Sequence, residues 1–174
     1  MSEGHLGQRV VLGIDPGTAT TGFGLVSEEG DSVHLLECGV IQTAAGQPLA
    51  WRLRSLYENL SQLLARWQPD EAAVEELFFS RNTTTALAVG HARGVALLAL
   101  AQASIPVAEY TPMQVKQAIV SYGKGTKEQV QEMVRLILRL EAVPQPDDAA
   151  DAVALAICHL HSTRLSQLLE TFRD

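Results

Sequence analysis

Residues 10–26 read VVLGIDPGTATTGFGLV, and this stretch decides the fold. Arg9–Asp15 alternates and then runs apolar into a Pro-Gly turn, which predicts a central β-strand. Two further strands are predicted at Gly22–Ser27 and Val33–Gln42, with a Glu-Glu-Gly-Asp turn between them that is typical of a hairpin. The three strands are therefore expected to form an antiparallel meander, with Asp15 at the end of the first strand.

Beyond the meander, the pattern alternates between helices and strands. Leucines at helical spacing, a Thr-Pro helix start and Pro-rich helix ends mark the boundaries. This order predicts an α/β fold in which helices cover one mixed sheet. The predicted strands are Glu71–Glu75 and Pro106–Tyr110, and the predicted helices are Leu49–Trp67, Thr83–Ala103, Thr111 to about Ser121, Thr126 to Pro144, and Asp147–Leu169.

The composition fits one soluble domain. The 174 residues suffice for one compact core, and 47% hydrophobic with 19% charged residues is ordinary for a globular protein. The N-terminus lacks the regions of a signal peptide, and the longest nearly apolar run, Gly94–Ala103, is too short to span a bilayer. Two cysteines, Cys38 and Cys158, make no disulfide framework. We expect a reduced, cytoplasmic protein with a single domain over residues 1–174, of which residues 1–8 and about 165–174 are peripheral or flexible.

The charge is unevenly distributed along the chain. Although the net charge is −7, the segment Leu77–Leu140 holds seven basic residues against three acids, a local net charge of +4 against −11 elsewhere. Such asymmetry suits a nuclease that meets phosphates with one surface and holds metal ions with another. Solvated helix faces would explain the same numbers, so composition alone leaves both interpretations open.

Acidic residues stand at three points of the predicted sheet and its last helix. Asp15 and Glu75 each end a strand, and Asp148 and Asp151 lie three residues apart at the start of the last helix. A carboxylate at the rim of a sheet is poorly placed for packing and well placed to hold a hard cation. Two Mg²⁺ or Mn²⁺ ions about 4 Å apart can drive phosphodiester hydrolysis. The spacing is therefore compatible with a metal-dependent nuclease site.

Each acid also has a structural explanation. Acids in the first turn of a helix cap free N–H groups and complement the helix dipole, which would account for Asp148 and Asp151. Asp15 before Pro-Gly is also typical of a turn. Glu75 is harder to explain structurally because Glu is disfavoured in strands, whereas its neighbour Glu76 points to the opposite face and is expected in solvent. Spacing alone leaves the metal site open.

Six segments resemble the RuvC family of Holliday junction resolvases, in the family's order. They are GIDPGTATTGFGLV, AAVEELFF, NTTTALAVGHARGVALLAL, PMQVKQAIV, GTKEQVQEMVRLIL and PDDAADAVALAICHLH, and the resemblance runs from about Arg9 to about Ser162. It implies an RNase H-like fold with a five-stranded sheet, a homodimer, and Mg²⁺-dependent cutting of four-way DNA junctions in recombination and repair. It also implies cooperation with a branch-migration motor formed by RuvA and RuvB.

The resemblance also assigns site residues. The family's four catalytic acids fall on Asp15, Glu75, Asp148 and Asp151, where they would bind two Mg²⁺ ions, with Mn²⁺ as an alternative; Asp147 stands outside the motif. Lys116 in MQVKQ and Lys127 in GTKEQ fall on basic positions near the scissile phosphate, where an ammonium group would neutralise developing charge. The remaining expected DNA contacts are Phe78, Arg81, Asn82, Thr83 and Lys124.

Within these contacts, Phe78 is expected near the junction centre, where it could stack on an unpaired base. Its neighbour Phe79 is expected in the rim of the core instead. Arg81, Asn82 and Thr83 combine a helix cap with donors for phosphates. Lys124 lies between glycines, and for it a solvated lysine is the stronger interpretation.

Three other features have mainly structural interpretations. Gly90 and Gly94 permit close helix approach, which in a soluble protein more often serves packing within the chain than dimerisation. Cys158-His159-x-His161 lies on one helix and cannot direct all its side chains at one zinc ion, so packing is expected. The leucines of the tail, Leu165, Leu168 and Leu169, are expected to pack on the fold.

Two other functions remain possible at this point. GIDPGTATTGFG also resembles the phosphate-binding hairpin of sugar-kinase and actin-like ATPases. Those enzymes close two lobes on a nucleotide, for which this chain is too short. A non-catalytic junction-binding module is the second alternative, but such a module would not need all four acids. ATP binding without junction binding would favour the first alternative.

Overall fold

The structure is a computed structural model that describes residues 8–76, 83–121 and 125–171. Five strands and five helices are described. They are β1 (Arg9–Asp15), β2 (Thr20–Glu29), β3 (Ser32–Gln42), α1 (Leu49–Trp67), β4 (Glu71–Glu75), α2 (Thr83–Gln102), β5 (Val107–Tyr110), α3 (Pro112–Val120), α4 (Lys127–Ile137) and α5 (Asp147–Thr171).

The five strands form one mixed sheet in the order β3-β2-β1-β4-β5. The first three strands along the chain pair antiparallel, whereas β4 is parallel to both β1 and β5. Gly30 makes the β2–β3 turn at a φ of 58°, a backbone conformation that glycine adopts without strain. The predicted meander and the mixed five-stranded sheet are both confirmed.

Helices cover both faces of this sheet. On one face, Leu12 and Ile14 of β1 join a core with leucines of α1 and alanines of α2. On the other face, Val11 joins a second core formed with α3, α4 and α5. Because side chains alternate along a strand, odd-numbered residues of β1 face α5 and even-numbered residues face α1 and α2. Asp15 therefore lies on the α5 face.

Glycines let α5 lie directly on the sheet. A Cβ atom added to Gly13 would lie 1.9 Å from the carbonyl oxygen of Ala152, and one added to Gly22 would lie 2.0 Å from that of Asp148. Both distances are far below van der Waals contact, so only hydrogen fits between strand and helix. The backbone of α5 is thereby brought against β1 and β2 at the very turn that carries Asp148.

Helix α4 and strand β2 differ most from their expected bounds, and the other elements agree to within two residues. Helix α4 ends at Ile137 rather than continuing to Pro144, because Leu138 is buried and Arg139 has a φ of 54°, which turns the chain out of the helix. Strand β2 is longer than predicted and extends over Thr20–Glu29, with a bulge in its pairing to β3 between Leu25 and Val26.

The outer face of α2 is apolar and uncovered by the described chain. Leu87 and Leu98 are 64% and 53% exposed, and a Cβ added to Gly94 would meet nothing within 4 Å. The expected role of Gly94 in packing within the chain is therefore wrong. By length and hydropathy α2 would also pass as a membrane span, but its opposite face packs in the core with α1.

The end of α5 projects from the body of the fold. Leu165, Leu168 and Leu169 are each between 57% and 59% exposed. The expected packing of these three side chains is therefore wrong. Upstream of them, Arg164 ties the helix to the β2–β3 turn by ion pairs with Glu28 and Asp31.

Candidate metal centre and active site

Two strand ends bring the first pair of acids together. Strands β1 and β4 are parallel neighbours, and Ile14 pairs with Val74 in their register, so Asp15 and Glu75 leave the sheet side by side. Their side chains share a hydrogen bond. Two carboxyl groups can share a hydrogen bond only when one of them carries a proton. The pair therefore takes up either a proton or a cation.

The first turn of α5 adds two more acids. Asp148 and Asp151 each offer a carboxylate oxygen, and with an oxygen of Asp15 the three atoms lie within 4.8 Å of one another. All are half-buried. An all-oxygen donor set of this size and charge suits Mg²⁺ or Mn²⁺ and would not select a soft metal. The donor set thus fits a hard divalent cation.

Burial and the charges of neighbouring acids raise the pKa of Asp15, Glu75 and Asp151. The pKa of Asp15 rises to about 8, first because of burial and then because of the negative charges of Glu75 and Asp151. Burial also raises the pKa of Glu75 and of Asp151, against the opposing effect of the Lys127 ammonium on both. A bound cation would reverse these shifts by stabilising the ionised forms. Such an arrangement is unfavourable for folding unless a cation compensates the charge.

Lys127 is held at the edge of this acidic cluster. Thr126 caps α4 through a capping box with Gln129, which fixes Lys127 as the first helical residue. Its Nζ lies 3.1 Å from Asp151 Oδ2 and 3.3 Å from Asp147 Oδ2. Although burial alone would lower the pKa of Lys127, these two carboxylates raise it. The lysine stays charged beside the acids.

Lys116 approaches the same place from α3. A capping box between Thr111 and Gln114 starts that helix, as the Thr-Pro sequence predicted. Lys116 and Lys127 line one cavity of about 220 Å³ together with Glu75 and Asp151. Within the part of the chain that the structure describes, Lys116 has no carboxylate partner at ion-pair distance. Its ammonium is therefore available to a phosphate.

The turn that follows Asp15 is fixed by threonines. Thr21 donates to the carbonyl of Gly17 at 2.7 Å, and Thr43 donates to that of Thr18 at 2.6 Å. Thr18 in turn donates to the carbonyl of Ala88 in α2. Hydrogen bonds thus connect the turn that follows Asp15 to Thr43, directly after β3, and to Ala88 of α2, and they hold Asp15 in place.

Residues 11–159 match the family model described as Crossover junction endodeoxyribonuclease RuvC. The match covers Asp15 and Glu75 at the strand ends and Asp148 and Asp151 of α5. The chain belongs to the RuvC family.

Relatives and solved structures agree with this assignment. RuvC of Chloroflexus aggregans is 60% identical over 151 residues, which is 87% of this chain and 92% of the relative. RuvC of Thermomicrobium roseum is 56% identical over 91% of this chain and 96% of the relative. The structure described as T. thermophilus RuvC in complex with Holliday junction substrate superposes with a TM-score of 0.86 at 40% identity, over 91% of this chain and 96% of that one.

A more distant structure supports the fold alone. The yeast mitochondrial Holliday junction resolvase Ydc2 superposes with a TM-score of 0.67 at 15% identity, over 93% of this chain and 83% of that one. The expected RNase H-like fold of the RuvC family is confirmed.

Most residues expected at the site of a RuvC-family nuclease do meet there. The four acids form one cluster, and Lys116 and Lys127 line the cavity beside it. Thr83 is exposed at the first residue of α2, and no described contact joins it to the acids. The remaining expected residues, Phe78, Phe79, Arg81, Asn82 and Lys124, lie outside the described residues.

The Cys-His segment of α5 makes internal contacts. His159 contacts Glu71 and Tyr110, whereas His161 Nδ1 lies 3.0 Å from the carbonyl oxygen of Ala118. Cys158 is fully buried. The three side chains have different partners, in agreement with the expected packing role.

Sequence reasoning missed two groups of residues that shape this site. Gly13 and Gly22 hold the α5 backbone against the sheet, and alternate glycines within a predicted strand were the available signal. Asp147 was set aside, yet it binds Lys127 and also accepts a hydrogen bond from Gln131 at 3.2 Å. Nothing in local spacing distinguishes this role of Asp147 from a helix cap.

Proposed function

We propose that this RuvC-family chain resolves four-way DNA junctions by paired, metal-dependent phosphodiester hydrolysis in recombination and repair. The observation that carries the proposal is the half-buried cluster of carboxylates whose oxygens lie within 4.8 Å of one another. Such a cluster costs folding free energy through repulsion and desolvation. In a family of junction endonucleases, metal binding for cleavage explains why the cluster is retained despite this cost.

The four acids Asp15, Glu75, Asp148 and Asp151 would hold two Mg²⁺ ions, and Mn²⁺ would substitute. When bound, such a pair supplies a nucleophile at neutral pH and neutralises charge at the leaving oxygen. Burial raises the pKa of Asp15, and the charges of Glu75, Asp151 and Asp148 raise it further, so all three acids lie near it. Asp15 would therefore hold metal together with each of the other three acids.

Lys116 and Lys127 would act on the phosphate. Both line the cavity beside Glu75 and Asp151, where a phosphate bound next to the metal ions would meet their positive charges. Lys127 is already held by Asp147 and Asp151, so an arriving cation at Asp151 would leave Asp147 as its anchor. Charge developing on the transferred phosphoryl group is then met by a prepositioned ammonium group.

A homodimer would place two such sites on one junction. A two-fold junction requires two symmetry-related cuts, which an isologous dimer can make. The outer stripe of α2, formed by Leu87, His91, Gly94 and Leu98, is exposed and mainly apolar. Residues spaced four, three and four apart on a helix lie along one face, and we propose that this stripe contacts its copy in the partner subunit.

The family also suggests where the chain works and with what. We propose a cytoplasmic protein that acts with a branch-migration motor of the RuvA and RuvB type. Both Cys38 and Cys158 are free thiols, which suits a reducing compartment.

The test is incubation of an end-labelled four-way junction with and without Mg²⁺. We expect paired symmetric nicks that need the metal, and their loss in Asp148→Asn with junction binding retained. Asp31→Asn is the matched control, because this acid is fully exposed at the β2–β3 turn. Full activity of Asp148→Asn, or no paired nicks from the unsubstituted protein, would contradict the proposal. ATP binding without junction binding would favour the nucleotide-binding alternative instead.

A further inference from the structure

Polar side chains occupy both ends of the sheet face that α5 covers. Charged residues stand at the first and last positions of β1 and β4 on this face, with small or apolar residues between them. The residues in order are Arg9, Val11, Gly13 and Asp15 on β1, and Glu71, Ala73 and Glu75 on β4. One end is the proposed metal site, and the other end has no assigned role.

At that other end, β1, β4 and α5 are joined by charged hydrogen bonds. Arg9 Nη2 donates to Glu71 Oε2 at 2.6 Å, and the same oxygen contacts Nε2 of His159. Arg9 Nη1 also donates to Oγ1 of Thr163 at 2.9 Å. We call these four residues, Arg9, Glu71, His159 and Thr163, the distal clamp. Each of the three elements that carry the proposed metal ligands contributes to it.

The distal clamp is largely withdrawn from solvent. His159 is 6% exposed, and its Nδ1 lies 2.8 Å from the hydroxyl of Tyr110, so both ring nitrogens are satisfied. Although burial would raise the pKa of Glu71, hydrogen bonds from Arg9 and His159 lower it. Charge-assisted hydrogen bonds in such surroundings are short and directional. They therefore restrict movement more strongly than apolar contacts do.

Contacts in the middle of this interface are apolar or between backbones, and Val11 and Val26 of the sheet pack in one core with Val153 of α5. At Gly13 and Gly22 the helix rests on backbone, with no side chain on the strands to interlock with it. At the other end, the carboxylates of Asp15, Asp148 and Asp151 lie close together and carry like charges. Within the described residues, the distal clamp is where directional hydrogen bonds tie α5 to both β1 and β4.

We propose that the distal clamp sets the axial position of α5 and thereby the geometry of the metal site. His159, Glu71 and Arg9 are positioning residues in this proposal, which rests on the proposed function of the four acids. Eight residues separate Asp151 from His159, which is about 12 Å along a helix. A helix of this length moves as a rigid body, so a shift at His159 is transmitted to Asp148 and Asp151. Displacement of reacting groups by about 1 Å can slow a reaction about 100-fold.

Two substitutions of one residue test this link. His159→Gln keeps an amide nitrogen near the position of Nε2 and can still donate to Glu71. His159→Asn keeps a polar group only near Nδ1, so it retains the contact with Tyr110 and loses Glu71. Leu63→Ala is the control for lost stability, because Leu63 is buried between the sheet and α1 on the opposite face.

The measurement is single-turnover junction cleavage at increasing Mg²⁺ concentration, well below the Tm of every variant. Junction binding is measured in Ca²⁺. We expect His159→Asn to raise the half-saturating Mg²⁺ concentration about 10-fold and to slow cleavage at saturating metal, with binding unchanged. His159→Gln should stay within about 3-fold of the unsubstituted protein. Leu63→Ala should lower the Tm without moving the half-saturating concentration.

Equal behaviour of His159→Asn and the unsubstituted protein would overturn the proposal, as would equal loss in the Gln and Asn variants. A rise in half-saturating Mg²⁺ in Leu63→Ala would also overturn it, because lost stability would then explain the effect. If His159→Asn does not fold, Glu71→Gln serves in its place, with the same expected rise. Absence of metal-dependent nicks from the unsubstituted protein is a different result, and it would reject the proposed function itself.

Discussion

Replacing Gly13 by alanine should disable cleavage while leaving the fold in place. The added Cβ would lie 1.9 Å from the Ala152 carbonyl oxygen, and real Cβ atoms essentially never approach closer than 3.0 Å. The α5 backbone must therefore retreat by about 1.1 Å at this point. Ala152 adjoins Asp151, so the retreat carries a proposed metal ligand away from Asp15.

The size of the effect follows from that displacement. A misplacement of about 1 Å costs about 100-fold in rate, which is ~2.7 kcal/mol in the activation free energy. Overpacking of this kind lowers the free energy of unfolding by ~1–3 kcal/mol. The protein should therefore remain folded at 25 °C and bind junctions, since Lys116 and Lys127 are unchanged.

The assay is single-turnover cleavage of a pre-bound junction at saturating Mg²⁺, with the Tm measured in parallel. Leu60→Ala is the control, because Leu60 of α1 is fully buried in the core on the opposite face of the sheet and its loss costs ~2–5 kcal/mol without touching α5. Gly13→Ala should cleave about 100-fold more slowly than Leu60→Ala at equal or better stability. If Gly13→Ala cleaves at the rate of the unsubstituted protein, the metal site does not depend on the position of α5 against the sheet, and the reasoning is refuted.

Three further predictions concern the acids, α2 and Lys127. In chelator, the Tm should fall as the pH rises from 4 to 8. The folded chain keeps a proton on Asp15, whose pKa is about 8, whereas the unfolded chain releases that proton near pH 3.8. Asp15→Asn should flatten this pH dependence and raise the Tm at pH 8. Leu98→Glu should shift the chain to a monomer in light scattering and replace paired nicks by single ones, whereas a persistent dimer would exclude the α2 stripe. Lys127→Met should slow cleavage about 100-fold with little loss of junction binding. It should also shift the rate–pH profile to higher pH, because the ammonium group no longer lowers the pKa of Asp151. Equal losses in rate and binding would contradict the role of Lys127 at the phosphate.

The local patterns were sufficient for the layout of the fold. Alternation in Arg9–Asp15 and the Gly30 turn predicted the meander, and Thr111 and Thr126 marked two helix starts that the structure confirms with capping boxes. The end of α4 was wrong because Pro144 is the strongest breaker in that segment. The actual end depends on burial of Leu138, a tertiary effect that local sequence does not contain.

Less of the site than of the fold could be predicted from the residues alone. Asp148 and Asp151 could equally have been helix caps, and only the family resemblance favoured a metal role. The distal clamp joins Arg9 to Glu71 across 62 residues, and Glu71 to His159 across 88. Each of these residues is ordinary in its own segment. Contacts of that range arise from topology, so they become visible only when the strands and α5 are assembled.

The close contact of the α5 backbone with Gly13 and Gly22 has a consequence for the genetics of this chain. At Gly13 and Gly22 the obstacles to a larger residue are carbonyl oxygens of α5, and no change of a neighbouring side chain can remove a backbone atom. Gly125 differs, because the first obstacle there is a methyl group of Val120, which alanine at position 120 would delete. A suppressor screen should therefore rescue Gly125→Ala readily and return almost nothing but reversion at positions 13 and 22. Glycine should therefore be retained at positions 13 and 22 even where the rest of the sequence changes.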